Sequence, residues 1–524
     1  MRLTVSNLIL PVVCVLMWGL STSAAPRIGG EVKLGYIYTD EKGNLGVYQP
    51  TYNLYEGVAL SVEGFRYQFA NGIRVHADLK NITLNNRHLM AGVTRSGLFG
   101  LNLSAVQYRR TYNFAGQSST RRDQLGGQVW FKPVRYVKLY GGYARTNKKG
   151  KLVEWFNPGN LTTARATDYR HHRYHLGAQV NHLGGMVRAE YRRTDFNDQL
   201  TGANDRQTTR YKVVAVTPLP KFRNIQLNAG FQHFRNVIDG LGRRISANTT
   251  WGGGRLFLRG GYSLKYSFIF DRAENSGDVV ATDNITQAVN ASKTWPGHGG
   301  VALGYQYKIN DDLFDEAQTS GFSTSGWVMF NREVTLKGRF GMQREEVKEG
   351  ATLTGNEDLT RYSFSAAYRR EPITLRLKYE NKKRENDDIG STADFRRLTT
   401  DLVIVRDPLG ELTGSYSFIQ GDYQNSDSEF EFTDHVLSGS WLSPVYRQLQ
   451  AGVEGTYYRS QRDLDVESFS LRLTGRYAFI EGYRLEVTYA VHNFDDLLVF
   501  DGYYTANIVE IHLSRSLSLL RSEP

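Results

Sequence analysis

Tyr483-Arg-Leu-Glu-Val-Thr-Tyr-Ala-Val491 decides the fold, because its two faces differ completely. Tyr483, Leu485, Val487, Tyr489 and Val491 fall on one side of an extended chain, and Arg484, Glu486, Thr488 and Ala490 on the other. Successive strand side chains point to opposite faces, so this period of two predicts a strand. The same alternation sets Ile373, Leu375, Leu377 and Tyr379 against Thr374, Arg376, Lys378 and Glu380. It also sets Leu256, Leu258, Gly260, Tyr262 and Leu264 against Phe257, Arg259, Gly261, Ser263 and Lys265. An apolar face closed by Tyr, opposite a charged face, is what a strand needs between lipid and a wet lumen. A soluble sandwich can look the same over one strand, so the start and length of the chain must discriminate.

The start has the pattern of a secretory signal peptide. Arg2 supplies the positive end, residues 8–20 form an apolar run too short to span a bilayer, and Ser21-Thr22-Ser23-Ala24 offers a small-residue cleavage site. Cleavage is expected after Ala24, because Pro26 disfavours a cut one residue later. That gives a signal peptide over 1–24 and a single outer-membrane β-barrel domain over 25–524. The one cysteine, Cys14, lies inside the signal, and Val12-Val13 before it is not a lipoprotein cleavage box. A cysteine-free mature chain excludes disulfides, covalent haem attachment and thiolate metal sites. No later apolar run approaches the roughly twenty residues of a membrane helix.

Across 524 residues, with 52 Gly, 32 Tyr and 26 Phe, strand-and-turn texture runs from about residue 30 to 516 without a break that would separate domains. The simplest architecture is one all-β, large antiparallel transmembrane barrel, since closure leaves no unpaired edge and lipid tolerates none. Turn signals occur at Asn71-Gly72, Pro133-Val-Arg135, Leu183-Gly-Gly185, Pro218-Leu-Pro220, Gly252-Gly-Gly254, Glu371-Pro372, Asp407-Pro408, Ser443-Pro444 and Glu481-Gly482. Longer polar stretches at 146–167, 270–284, 311–321, 346–359 and 382–393 read as outer loops, the usual asymmetry of these barrels. Rising strands beginning near 31, 73, 98, 136, 186, 225, 255, 299, 334, 373, 411, 446 and 483, each followed by a falling one, give about twenty-six strands. Without strands near 85–97 and 282–296 the count is twenty-four.

About sixteen to eighteen strands already enclose a water channel, and transporters of about twenty-two are plugged. About five residues separate the expected cleavage site from the first strand, so no plug domain is predicted and the filling is expected to be another protein. The inward-facing set, available to a partner or a solute, comprises Arg259, Lys265, Arg376, Lys378, Glu380, Arg472, Arg476, Arg484 and Glu486. A solvated porin wall would carry such charges too. The formal charge of +11 fits an anionic partner, lipopolysaccharide at the rim, or an anion preference.

Near the start, Gly43-Asn44, Tyr48 and Tyr52-Asn-Leu-Tyr-Glu-Gly57 precede an alternating stretch from Val58 to Phe69, followed by Gly72 and paired strands through Tyr112. With export, scarce cysteine and a count near twenty-six, this resembles the MtrB/PioB family, the outer-membrane porin sheaths of porin–cytochrome conduits. The resemblance covers the remainder of the chain as architecture rather than motif. It implies a barrel holding a periplasmic multihaem cytochrome c and supporting electron transfer across the outer membrane of a Gram-negative bacterium. An extracellular cytochrome on the outer loops is implied as well. The haem c would belong to the partner, because this chain has no Cys-x-x-Cys-His. Two features depart from the family: the Cys-x-x-Cys that some members carry near the mature N-terminus is absent. The expected last strand, 506–517, does not finish on an aromatic residue.

Other constellations point to no chemistry. His171, His172 and His175 alternate faces on a strand and cannot converge on one metal without a bend. The acidic stretches Asp311, Asp312, Asp315, Glu316 and Asp427, Glu429, Glu431 lack calcium-loop spacing and read as solvated charge. Lys148, Lys149 and Lys151, with Lys382, Lys383 and Arg384, read as basic outer patches for lipopolysaccharide rather than nucleic acid. No phosphate loop, nucleophile elbow or paired-carboxylate set stands out, so the chain reads as a non-enzyme and binds no cofactor itself. The competing function is a large diffusion porin for anionic or oligosaccharide solutes; a rim hydrolase is the third.

Overall fold

Twenty-six strands form one antiparallel sheet that closes on itself. The computed structural model describes residues 27–44, 55–111, 119–156, 161–182, 184–202, 204–219, 222–275, 280–311, 316–349, 356–446, 448–498 and 502–517. The expected signal peptide lies outside the described residues, as do Tyr48, Tyr52, Asp312 and Asp315. The first strands are β1 (Arg27–Gly43), β2 (Gly57–Gln68), the short β3 (Ile73–Lys80) and β4 (His88–Arg95), then β5 (Phe99–Thr111) and β6 (Ser119–Val134). The tallest pair follows, β7 (Val137–Phe156) and β8 (Leu161–His182). Next come β9 (Gly185–Asp198), β10 (Arg206–Leu219), β11 (Phe222–Ile238), β12 (Arg243–Phe257), β13 (Tyr262–Asn275) and β14 (Val280–Trp295). The wall continues through β15 (Gly299–Asp311), β16 (Glu316–Met329), β17 (Val334–Glu349), β18 (Glu357–Arg370), β19 (Ile373–Asn386) and β20 (Ser391–Arg406). It ends with β21 (Gly410–Gln424), β22 (Glu429–Tyr446), β23 (Leu449–Arg462), β24 (Val466–Ile480), β25 (Tyr483–Asp496) and β26 (Tyr504–Ser516).

Each strand pairs with its chain neighbours, and β1 meets β26 from Glu31↔Ser516 to Gly43↔Tyr504, so no edge is left open. At the seam Gly35 is needed for close approach. A Cβ there would come within 2.2 Å of His512 Nδ1 and 2.4 Å of the Ile511 carbonyl oxygen. Gly35→Ala is expected to cost about 1–3 kcal/mol by overpacking. A lowered urea midpoint for refolding in detergent, relative to wild type, is the check.

The rows facing the two sides carry different chemistry. On β19, Ile373, Leu375 and Leu377 are exposed on one row, and Arg376, Lys378 and Glu380 lie on the other. Val487 and Tyr489 are exposed on the apolar row of β25. Lipid accepts only the apolar row, so the charged row faces the lumen. The residues at the lower lipid boundary fit this: Lys293 Nζ lies 4.2 Å from the Tyr262 ring centroid and 5.1 Å from that of Trp295. Arg515 likewise covers Tyr483 at 5.1 Å. Aromatic rings with snorkelling cations are what an interface selects.

Three sequence expectations need correction. Gly252, Gly253 and Gly254 lie inside β12, and the turn is at residues 258–261, where Gly260 and Gly261 have φ of 78° and 81°. The described residues of the stretches at 146–167, 270–284, 311–321, 346–359 and 382–393 are mostly strand; β7 and β8, for example, run for 20 and 22 residues, about twice what a bilayer requires. The ladder continues above the lipid, and most outer connections are short. Finally, Pro133, Pro218 and Pro444 fall in the last residues of β6, β10 and β22 rather than in turns. Each sits at or within a register shift, where a residue without an N–H leaves no ladder bond unmade.

Candidate functional site

The lumen wall is the candidate site, and the ladder fixes who meets whom on it. Strands about 4.8 Å apart and tilted about 40° make a twenty-six-stranded wall about 50 Å across, with a lumen on the order of 40 Å wide. Eight of the nine residues expected inward lie on the lumen row. Lys265 stands opposite Arg255 and Asn290. Arg376 faces Asp401 across the β19–β20 ladder, and Lys378 Nζ is 2.7 Å from Glu380. Arg472 faces Glu454 on β23, Arg476 pairs with Glu486 at 2.8 Å, and Arg484 lies 4.0 Å from Glu31. Arg259 is the exception. It belongs to the one-turn 3₁₀ helix Arg259–Gly261 between β12 and β13, because the 256–264 alternation is two strand ends and the turn between them. It marks the rim, not the wall.

One part of the wall is covered by the chain itself. After β3 the backbone turns inward: Ile82 N–H donates to the Leu60 carbonyl and Leu84 joins Ile37, Ala59, Ala490, Tyr504, Ala506 and Ile508 in a buried apolar cluster. These residues occupy the lumen row of β1, β2, β25 and β26, where they would otherwise face water. The Tyr504 hydroxyl donates to Glu41 at 2.6 Å.

The richest cluster of lumen charges was not singled out in the sequence. Arg188, Glu190 and Arg192 on β9 stand beside Val214, Lys212 and Arg210 on β10. The Tyr140 hydroxyl on β7 accepts from Arg188 at 2.6 Å and donates to Glu190 at 3.2 Å. Large rings lie flat along this sector because glycines on adjoining strands make room for them. A Cβ at Gly177 would sit 2.2 Å from the Tyr140 ring, at Gly142 2.4 Å from His175, at Gly230 2.1 Å from Trp251 and at Gly100 2.3 Å from Trp130. The signal was present as Arg188-x-Glu190-x-Arg192, but its neighbours appear only once the register pairs β9 with β10.

The remaining sequence candidates stay apart. His171 and His175 share the lumen row with Arg173, whereas His172 faces outward and bonds the Tyr143 hydroxyl at 2.9 Å. Lys149 pairs outward with Asp168 at 2.8 Å, and Lys383 pairs with Glu385. Asp422, Glu429 and Glu431 bring carboxylate oxygens within 4.8 Å of one another on the outward row of the β21–β22 hairpin, where Arg462 also pairs with Glu431. Asp427 lies in the turn above them.

No protein-family model and no curated protein matches the sequence. The fold does match solved structures. The FrpB iron transporter from Neisseria meningitidis aligns over 96% of this chain and 83% of its own, with a TM-score of 0.54 and 10% identity. The siderophore receptor PirA from Pseudomonas aeruginosa aligns over 80% of each chain, with a TM-score of 0.51 and 11% identity. PirA from Acinetobacter baumannii aligns over 95% of this chain and 81% of its own, with a TM-score of 0.50 and 7% identity. At these identities the likeness is one of fold: a large antiparallel β-barrel like those of Gram-negative outer membranes. The three are named as transporters and receptors, not enzymes. None is an MtrB/PioB-type sheath, so that resemblance rests on the sequence.

Proposed function

We propose that this chain is an outer-membrane sheath whose lumen houses a periplasmic multihaem cytochrome c, and that it supports electron transfer across the membrane without binding a cofactor itself. The observation carrying this reading is the twenty-six-stranded closed wall with a polar, charged inner row on a scale that admits a folded protein. Among the described residues, the regular elements are wall strands and two single-turn helices at the rims. The nature of the partner chain comes from the MtrB/PioB resemblance. On this reading the inward residues Lys265, Arg376, Lys378, Glu380, Arg472, Arg476, Arg484 and Glu486 contact the partner. The outer rim meets lipopolysaccharide and an extracellular cytochrome.

The basic and aromatic sector on β6–β12 favours one other reading, a wide diffusion porin for anionic or oligosaccharide solutes. Both are tested by extracting the barrel from its native membrane in mild detergent and staining co-purifying chains for covalent haem. A stoichiometric haem protein shielded from added protease is the expected result. A haem-free barrel that conducts in a planar bilayer overturns the sheath and leaves the porin.

A further inference from the structure

Cations on most of the lumen wall near the seam are neutralised by neighbours. Arg476 has Glu486 at 2.8 Å, and Lys33 has Glu63 at 2.8 Å. The β9–β10 cluster is different. Four cations, Arg188, Arg192, Arg210 and Lys212, surround one carboxylate, and three of them pair with it. Glu190 receives Arg188 at 2.5 Å and Arg192 at 3.2 Å, with Arg210 at 3.8 Å. Among the described residues no carboxylate forms an ion pair with Lys212. Its ammonium lies 5.3 Å from the centroid of the Trp251 ring, which is held against the wall over Gly230. Glu190 and the four cations, with Met186 and Val214, line a depression of about 300 Å³. One step along the wall Lys138 stands 5.3 Å from the Trp130 ring and 6.0 Å from that of Tyr140.

We propose that this depression is an oxyanion-binding subsite, taking carboxylate or phosphate groups. Glu190 is only 10% exposed at its side chain; it holds Arg188 and Arg192 by hydrogen bonds, keeps Arg210 at ion-pair distance, and cancels one charge of four. The uncancelled positive charge therefore sits on pre-positioned N–H donors, the arrangement that favours forked binding of carboxylate and phosphate. The lumen is wet, so the subsite attracts through a concentration of charge in a concavity rather than through desolvation. The oxyanions come either from a solute in transit or from the surface of a chain seated in the lumen. The subsite does not depend on whether that chain carries haem.

The test uses the full-length barrel in detergent, with inositol hexakisphosphate as a polyanionic probe in titration calorimetry. Wild type is expected to bind the probe, and Arg188→Glu/Arg192→Glu/Lys212→Glu to weaken it at least tenfold. Lys212→Gln, which keeps the wall intact, should weaken it severalfold. The control Arg476→Gln/Glu486→Gln, on the paired sector, should leave it unchanged. If the triple variant also loses a co-purifying chain from native membranes, that chain supplies the oxyanions. If the chain is retained, or none co-purifies, the source is a solute. Probe binding that is absent from wild type, or unaltered in both the triple variant and Lys212→Gln, overturns the subsite. The haem stain of the co-purifying chain reads the sheath separately.

Discussion

Leu375→Arg is expected to destabilise the folded barrel by about 2–4 kcal/mol, the cost of a guanidinium on the lipid face near the bilayer midplane. The depth follows from the outward row of three adjoining strands. Leu375 stands between Tyr368 on β18 and Leu402 on β20. Outward residues on β19 stay apolar from Ile373 to Tyr379, and polar ones take over at Asn381 and, on β20, at Arg396. Leu375 and Leu377 are therefore in the middle of the apolar band. The cost arises because the arginine must drag water or headgroups into hydrocarbon or keep its charge unsolvated. Arg376→Leu, one residue on and facing the lumen, is expected to change stability by no more than about 0.5 kcal/mol. Urea-dependent folding into lipid vesicles measures both. A large effect of Arg376→Leu with a small one of Leu375→Arg would show the two rows to be assigned the wrong way round.

That contrast also explains what was legible in the sequence. Lipid imposes the alternation, so strands announce themselves where they cross it: starts expected at 73, 299, 334, 373 and 483 are those of β3, β15, β17, β19 and β25. Above the lipid both rows are polar and the alternation fades, while the hydrogen-bonded ladder continues, so the tops of β7, β8 and β19 read as loops. The Gly252–Gly253–Gly254 run misleads for another reason. These glycines serve side-chain and backbone approach, not a turn: a Cβ on Gly252 would meet the Phe268 ring at 2.7 Å and one on Gly253 the Tyr266 carbonyl at 2.4 Å. Moving the turn to 258–261 takes Arg259 off the wall. The oxyanion cluster was half visible, since one strand shows its own alternating charges but not those across the ladder. Only the register makes Lys212 the neighbour of Glu190, and only the missing Cβ of Gly230 lays Trp251 beneath Lys212.

On the proposed sheath function, removing the chain that fills the lumen is expected to lower the amount of barrel in the outer membrane severalfold and to admit bulky antibiotics. The inner row suits water or a polar partner: near the seam its cations and carboxylates pair along the ladder and the buried apolar residues are gathered under Leu84, whereas elsewhere rings such as Trp130 and Trp251 stand beside cations. Outside that cluster a wet inner row gains no second core of its own, in contrast to a small barrel filled by its side chains. A partner that binds only the folded barrel adds stability by mass action, about 2.7 kcal/mol at a hundred times its dissociation constant. Losing a stabilisation of that size changes steady-state abundance severalfold in cells. The readouts are an immunoblot of outer membranes and sensitivity to vancomycin, with and without the gene for the co-purifying chain. A normal level of barrel in a tight membrane would mean that the chain closes its own lumen, and the sheath would fall. A normal level in a leaky membrane would instead identify a diffusion porin, whose wall is stable wet and whose β9–β10 cations act on solutes.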